Sequence, residues 1–265
     1  MENAIVCGAM HFVGFELCKQ LLNRGCSVVA IDHGGNTDKY HVEKWLEIGR
    51  NANLLRLPIE EIRDEIDSSV VCFIPYIDFL SLPDKFNGLF NDVESLLQME
   101  NITEYHIIFP SKYHFSFSDT NRRNFNAVFP ITNMNKKVVE YYVPTLYGPW
   151  QPNTYLFQQL IEGKCQDDYL DDTMDAIFIE DAVKEIVDNT QQTEHRQRIL
   201  IRNMQPDMWR KCVLYLKEDF KVPPKKHVVE DRDMVIKNIQ ECHSFQESLK
   251  IQIECFKRFQ NDYSL

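Results

Sequence analysis

The chain has no excess of positive charge and no long apolar run, and each absence excludes a class of protein. Its 265 residues include 29 lysine and arginine residues against 40 aspartate and glutamate residues, which gives a formal net charge of −11. Non-specific nucleic-acid binding needs cations that displace phosphate counterions, so we expect no nucleic-acid partner. The apolar runs are far shorter than the ~20 residues of a transmembrane helix, so we expect no membrane partner.

The sequence also lacks paired cysteine motifs, metal-ligand spacing among its histidines and a basic leader. None of the eight cysteines forms a C-x-x-C pair, and several stand where core apolar residues are expected. This pattern predicts reduced, buried thiols. The eight histidines are scattered, so we expect no metal site. Met1-Glu2-Asn3 is not a basic n-region, so we expect no signal peptide and a cytoplasmic protein.

Short β-branched runs alternate with helical patterns, which predicts crossover units and a parallel sheet. The predicted strands are 4–7, 27–31, 53–57, 70–74, 105–109 and 138–143. The predicted helices are 12–24, 39–49, 59–66, 84–100, 154–163 and 244–257. We expect an α/β fold, a Rossmann-like doubly wound parallel sheet with a small C-terminal lobe. The expected division is a nucleotide-binding core over 1–150 and a substrate-type lobe over 151–265, whose strands and helices return to the core.

The segment 4–14 reads A-I-V-C-G-A-M-H-F-V-G, a short strand that leads into two glycines and a helix. Such a turn places a helix N-terminus at the pyrophosphate of a dinucleotide. The candidate cofactor-binding residues are Gly8, His11, Phe12, Val13, Gly14 and, at the end of the second strand, Asp32. The alternatives are a tight turn without a ligand, a His11 side chain packed over a closed pocket, and an Asp32 that caps a helix or faces solvent.

Five motifs in the same order resemble the extended short-chain dehydrogenase/reductase family, the NDP-sugar epimerases and dehydratases. They are the glycine turn (TGxxGxxG in the family), the acidic residue Asp32, V-P-T-L-Y-G-P at 143–149, D-A-I-F-I-E-D-A-V at 175–183, and the closing helix at 244–257. The resemblance implies a Rossmann-like fold, NAD as the cofactor and an NDP-sugar as the ligand.

The catalytic pair of that family, a tyrosine and a lysine four residues on, has no counterpart where it is expected. Of the eleven tyrosines, only Tyr40 is followed at this spacing by a lysine, Lys44. That pair lies on the adenosine side of the fold, and we interpret it as a coincidence. Ser111 lies near the family's catalytic serine or threonine. Tyr147 is either a site residue or a core aromatic, so the catalytic residues stay unassigned.

Several cofactor and substrate positions also depart from the family. His11 replaces a glycine, Pro58 stands where an aspartate contacts adenine, and Ile74-Pro75-Tyr76 replaces a pair of small residues under the cofactor ribose. Met174 stands where an arginine commonly meets the phosphate of the sugar nucleotide. The loop beside it carries four aspartates, which we interpret as a solvated loop and not as a metal site: Asp167, Asp168, Asp171 and Asp172. Such a loop would repel a pyrophosphate.

These departures predict a catalytically degenerate NAD-dependent epimerase/dehydratase-like protein, a pseudoenzyme that binds a nucleotide or a protein partner. We expect NAD to bind weakly or not at all. The alternative is an active NDP-sugar epimerase, dehydratase or oxidoreductase with a non-standard acid/base set. A structural interaction protein with no ligand is the third reading, because function must be argued from the site and not from the fold.

The first prediction concerns assembly. Family members commonly dimerise through two helices per subunit, and the one that carries the tyrosine and lysine is shortened or lost here. An interface well below ~1,000 Å² rarely makes a stable dimer. We expect a monomer, or a dimer built on another surface, with helix 84–100 covered by segment 110–135. Light scattering measures the mass, and a two-fold dimer that pairs the 84–100 helices would contradict the prediction.

Overall fold

A computed structural model of the chain describes residues 1–32, 39–62, 68–80, 95–112, 136–164, 168–191, 196–224 and 234–262. Most of the predicted helix 84–100 and most of segment 110–135 lie outside these ranges, as do Cys165 and Asp167. No helix in the described part of the chain is long and apolar enough to cross a membrane.

The described strands are β1 (Asn3–Cys7), β2 (Ser27–Ile31), β3 (Leu54–Arg56), β4 (Val70–Ile74), β5 (Ile102–Pro110), β6 (Lys137–Val143), β7 (Thr145–Tyr147), β8 (Ala176–Phe178), β9 (Arg196–Asn203) and β10 (Val235–Ile239). Eight of them form one sheet in the order β10-β9-β6-β5-β4-β1-β2-β3, and each neighbouring pair is parallel. This topology confirms the predicted Rossmann-like α/β fold. All six strands with predicted bounds form, whereas no bounds were predicted for β7 to β10, although strands after residue 150 were expected to return to the core.

The described α-helices are α1 (Phe12–Asn23), α2 (Lys39–Ile48), α3 (Tyr76–Phe79), α4 (Leu156–Ile161), α5 (Ile179–Asp188), α6 (Met208–Leu216) and α7 (Phe245–Asp262). The helix predicted over 59–66 begins as a 3₁₀ turn, Ile59–Glu61, and residues 63–67 lie outside the described ranges. The short helix α3 was not predicted, because Pro75 and the four-residue length give no periodic signal.

Helix α1 buries the apolar stripe that the sequence predicts, and it packs against β1, β2 and α5. Its buried apolar residues include Phe12, Val13, Leu17, Leu21 and Leu22. A separate apolar cluster lies among β7, β8, α4, α6 and α7 and includes Tyr147, Phe157, Phe178, Trp209 and Leu249. The chain after residue 150 therefore adds both this cluster and strands β9 and β10 of the main sheet.

The last helix returns to the first half of the chain. The ring of Phe259 on α7 stacks on Tyr40 of α2, with ring centroids 4.1 Å apart, and Trp150 lies edge-on to both rings. The seven described cysteines are free thiols, five of them buried, while Cys242 is exposed and Cys255 is partly buried. The prediction of reduced thiols thus agrees with the described cysteines.

A comparison of two glycines shows how closely α1 approaches the turn after β1. A Cβ atom on Gly14 would lie 2.1 Å from the carbonyl oxygen of Gly8, whereas a Cβ on Gly163 would meet nothing within 4 Å. Gly163 has a φ of +70°, so alanine there costs only the left-handed backbone, about 1–2 kcal/mol.

We predict that Gly14→Ala lowers the free energy of unfolding by about 3 kcal/mol or more, because a backbone atom must move in a packed core. Gly163→Ala is the control and is expected to cost about 1–2 kcal/mol. Urea denaturation of both variants measures the difference. Equal losses in the two variants would show that the approach of α1 to Gly8 is not tight.

Candidate functional site

The glycine turn is built as its sequence predicts. Gly8 has a φ of +64°, and the N–H of His11 donates to the Gly8 carbonyl over 2.9 Å. Helix α1 then begins at Phe12, with His11 as its N-cap, whose side chain makes no capping hydrogen bond. The first N–H groups of a helix have no partner within the helix and need an acceptor from elsewhere.

Asp78 supplies that acceptor from α3. Its Oδ2 accepts hydrogen bonds from the N–H groups of Val13 and Gly14, each over 2.9 Å, and its Oδ1 lies 3.1 Å from the Val13 nitrogen. Asp78 is only 4% exposed. A negative carboxylate is favoured at this end of a helix dipole. The chain thus places a carboxyl group of its own at the N-terminus of α1.

Two aromatic side chains fill the space over Gly8. A Cβ atom on Gly8 would lie 2.8 Å from Cδ2 of His11 and 3.0 Å from Cε1 of Phe79. Phe79 follows Asp78 directly on α3, so one short helix supplies both the carboxylate and a ring. The ring of His11 lies edge-on to His41 at 5.9 Å between centroids. Side chains therefore line the turn on the face where a dinucleotide turn has only backbone.

Lys44 supports the backbone of the glycine turn. Its Nζ donates to the carbonyl oxygen of Met10 over 2.7 Å, and the residue is only 5% exposed. The ammonium lies 5.6 Å from the ring centroid of Phe15 and 5.8 Å from that of Trp150. Tyr40, four residues earlier, instead stacks on α7. Lys44 is therefore a support of the turn's backbone, and sequence reasoning missed this role.

The pKa of Asp78 reflects these surroundings. Burial raises the pKa to about 7, while the hydrogen bonds from Gly14 and Val13, and the charge of Lys44, act in the opposite direction. The carboxylate is stabilised by its donors, but it has lost its water.

Asp32 follows β2 and lies at the expected ribose position. Its side chain is 1% exposed, and neither carboxylate oxygen has a hydrogen-bond partner within the ranges that the structure describes. His41 Nε2 and Arg56 Nη2 lie 3.6 and 3.7 Å from Oδ2, beyond hydrogen-bond distance. Two buried acceptor oxygens without a donor suit a ligand with two adjacent hydroxyl groups. The binding roles of Gly8, His11, Phe12, Val13, Gly14 and Asp32 stay predictions.

Ser111, near the family's catalytic serine or threonine, is engaged inside the protein. It is 3% exposed, and its hydroxyl donates to Oδ2 of Asp172. The Oδ1 of Asp172 accepts from the Met174 N–H over 3.0 Å, and Thr145 Oγ exchanges hydrogen bonds with the Asp172 backbone. This network holds the loop before β8 against the end of β5.

The interpretation of the aspartate loop as solvated is wrong for two of its members. Asp171 and Asp172 are each 8% exposed, whereas Asp168 is exposed. Asp171 accepts from the Leu156 N–H at the start of α4 and from Trp209 Nε1, over 2.8 and 2.9 Å. Burial raises its pKa to about 6. Asp171 therefore caps the start of α4, and Asp172 accepts hydrogen bonds within the Ser111 network, because the buried donors around them need partners.

Tyr147 is a core aromatic with a satisfied hydroxyl. It is fully buried, and its Oη donates to Oε1 of Glu241 over 3.1 Å. The same carboxylate oxygen accepts from the Phe178 N–H over 2.7 Å. Burial raises the pKa of Tyr147 well above its usual range, so the phenol keeps its proton.

A cavity of about 330 Å³ lies between α6 and the loop before β8. Its walls include Met174, Arg210, Leu214, Phe220 and Pro223. Arg210 and Met174, the residue that stands where an arginine is common in the family, both line this cavity. Within the described ranges, no group of three or more histidine, cysteine, aspartate or glutamate side chains is arranged to hold a metal ion.

The pKa of Asp78 generates a prediction on stability. Between the ordinary pKa of 3.8 and the folded value of about 7, the folded protein holds a proton at Asp78 that the unfolded chain has released. Stability from this group is therefore fully present below the lower value and is lost as the pH rises to the upper one. We expect the unfolding free energy of the wild type, minus that of Asp78→Asn, to fall across this range. Urea denaturation measures it, and a constant difference would contradict it.

The comparisons with known proteins point to one fold. No protein-family model matches the sequence, and no curated protein matches it. Among solved structures, UDP-glucuronic acid 4-epimerase from Bacillus cereus, with UDP-glucuronic acid and NAD, is similar with 18% identity and a TM-score of 0.67, over 97% of this chain and 99% of that chain.

Two further solved structures give the same result. UDP-glucose 4-epimerase from Thermotoga maritima, with UDP-glucose, has 16% identity and a TM-score of 0.62 over 97% of this chain and 99% of that one. The dTDP-glucose 4,6-dehydratase from Bacillus anthracis, with NAD, has 13% identity and a TM-score of 0.64 over 98% of both chains. The chain therefore has the fold of the extended short-chain dehydrogenase/reductases, as its motifs predict.

Proposed function

We propose that this protein is a catalytically degenerate relative of the NDP-sugar epimerases and dehydratases, which binds a nucleotide and does not transform a sugar. One observation carries the proposal. The hydroxyl groups that remain as candidates for acid/base work, Ser111 and Tyr147, are both buried and both donate to carboxylates of the protein itself.

The state of these hydroxyls opposes proton transfer to a ligand. A general acid or base must reach the reacting group within hydrogen-bond distance and must have a pKa near the working pH. In the family, a lysine lowers the pKa of the catalytic tyrosine. Burial acts in the opposite direction on Tyr147, and the carboxylate of Glu241 disfavours its ionisation further. The sequence supplies no tyrosine–lysine pair at the expected place to replace it.

The NAD that the fold implies fits the described residues only in part. The buried oxygens of Asp32, which have no hydrogen-bond partner among the described residues, suit the two hydroxyls of a ribose. The first turn of α1 does not fit a pyrophosphate, because the Val13 and Gly14 N–H groups already donate to Asp78. We therefore derive no chemical step through NAD.

The cavity beside Met174 is the preferred nucleotide site. Its volume of about 330 Å³ lies at the low end of the ~300–1,000 Å³ of small-molecule pockets. Arg210 offers a cation for a phosphate, and Phe220 and Pro223 offer apolar surface to a base. In the second form of the proposal, the protein binds a protein partner instead of a nucleotide.

An active enzyme with a non-standard acid/base set is the alternative function. Asp32 favours it, since an intact ribose acceptor is expected of a working cofactor site.

The test combines turnover with binding. We expect no detectable turnover of UDP-glucose, UDP-glucuronic acid or dTDP-glucose with added NAD, because losing acid/base assistance removes about 10²–10⁴-fold in rate. We expect UDP to raise the melting temperature of the wild type, and Arg210→Ala to reduce this shift. Lys211→Ala, which removes an equal charge from the next position of α6 outside the cavity wall, is the matched control.

Two outcomes would contradict the proposal. Robust turnover that Ser111→Ala or Tyr147→Phe abolishes would favour the active enzyme. A melting shift with UDP that Lys211→Ala and Arg210→Ala reduce equally would remove the cavity from the binding site.

A further inference from the structure

We infer that the carboxyl group of Asp78 occupies the pyrophosphate position at the N-terminus of α1 and thereby excludes dinucleotides from the glycine turn. This inference deepens the proposed function, on which it rests, by stating which class of nucleotide the protein refuses.

The first argument is that the binding groups are already used. In a glycine turn of this type, backbone N–H groups at the start of the helix receive the pyrophosphate. Here the N–H groups of Val13 and Gly14 donate to Asp78 over 2.9 Å. A diphosphate that took these donors would have to displace the carboxylate.

The second argument is that displacement is costly. Asp78 is 4% exposed, and it stands on a four-residue helix between buried Ile77 and Phe79. A carboxylate driven from its donors without reaching water would be a buried, unsatisfied charge. If the carboxylate instead stayed beside the diphosphate, like charges would repel in a poorly solvated site.

The third argument is that the surrounding side chains close the same space. His11 and Phe79 both reach the open side of Gly8, within 3.0 Å of where a Cβ atom would stand. Lys44 already neutralises part of the local negative charge from its buried position under Met10. Side chains of this protein therefore supply the carboxyl group, the ammonium group and the two rings that surround the glycine turn.

Asp32 makes the proposal specific to the diphosphate. Its carboxylate oxygens are buried and lack a hydrogen-bond partner among the residues described, so no described group takes the hydrogen bonds of the ribose end as Asp78 takes those of the diphosphate end. The chain therefore supplies its own group at the diphosphate position of the dinucleotide site, and it retains Asp32 as the acceptor at the ribose position.

The experiment measures NAD and ADP-ribose binding by calorimetry and by melting temperature in three variants. Asp78→Ala frees both N–H groups and the space, whereas Asp78→Asn keeps the size of the side chain and removes its charge. Asp171→Asn is the matched control, because Asp171 is also a buried carboxylate at a helix start, that of α4.

We expect no binding of millimolar NAD to the wild type or to Asp171→Asn, and binding to Asp78→Ala that is stronger by about tenfold or more, a difference of ~1.4 kcal/mol. At 100 times its dissociation constant, NAD adds ~2.7 kcal/mol, which corresponds to a melting shift of roughly 5–10 °C for a chain of this size. Binding to Asp78→Ala but not to Asp78→Asn would show that the volume of the Asp78 side chain excludes NAD. Binding to both variants would show that its negative charge also contributes to the exclusion.

Binding of NAD to the wild type would overturn the inference, and this measurement needs no variant to fold. A folded Asp78→Ala and a folded Asp78→Asn that both refuse NAD would also overturn it, since another group would then close the site. Neither result affects the proposed function. That proposal is contradicted only if the protein turns over an NDP-sugar, or if Arg210→Ala reduces the UDP melting shift no more than Lys211→Ala does.

Discussion

The need of buried helix N–H groups for an acceptor governs the N-terminal half of this protein. The close approach of Gly14 to Gly8 fixes α1 against the end of β1, and this burial leaves the first turn of the helix without water. Some acceptor must then face Val13 and Gly14. In this chain the acceptor is the side chain of Asp78, and α3 places Phe79 beside it over Gly8.

The same requirement recurs in the C-terminal lobe. Asp171 accepts from the start of α4 and from Trp209, and Glu241 accepts from Tyr147 and from the backbone of β8. Burial raises the pKa of both carboxyl groups. Acidic side chains that could attract a cation or activate a substrate are thus used to satisfy internal donors. In both halves of the chain, carboxyl groups of the protein itself therefore accept the hydrogen bonds of buried donors.

The sequence predicts the central sheet well because its information is local. Runs such as Val70–Ile74 and Ser27–Ile31 have the length and β-branched content of buried parallel strands, and both form with the predicted bounds. Strands β7 and β8 have three residues each, too few for a periodic pattern. The site is less predictable, since it depends on residues far apart in the chain. Asp78 meets Val13 only after folding. The local sequence shows only that an aspartate stands three residues after Pro75, which does not indicate its partner.

The order of the strands along the chain has a consequence for synthesis. Strand β6 pairs with β9 through Tyr141 and Ile199, and β7, α4, β8 and α5 lie between the two strands in the chain. At ~5–20 residues per second, the nascent chain therefore presents an open, apolar parallel edge at β6 for some seconds before β9 emerges from the ribosome. An exposed edge of this kind pairs readily with other chains. The backbone of Val138, Val139 and Tyr141 can therefore pair with β9 only once residues 196–203 have been synthesised.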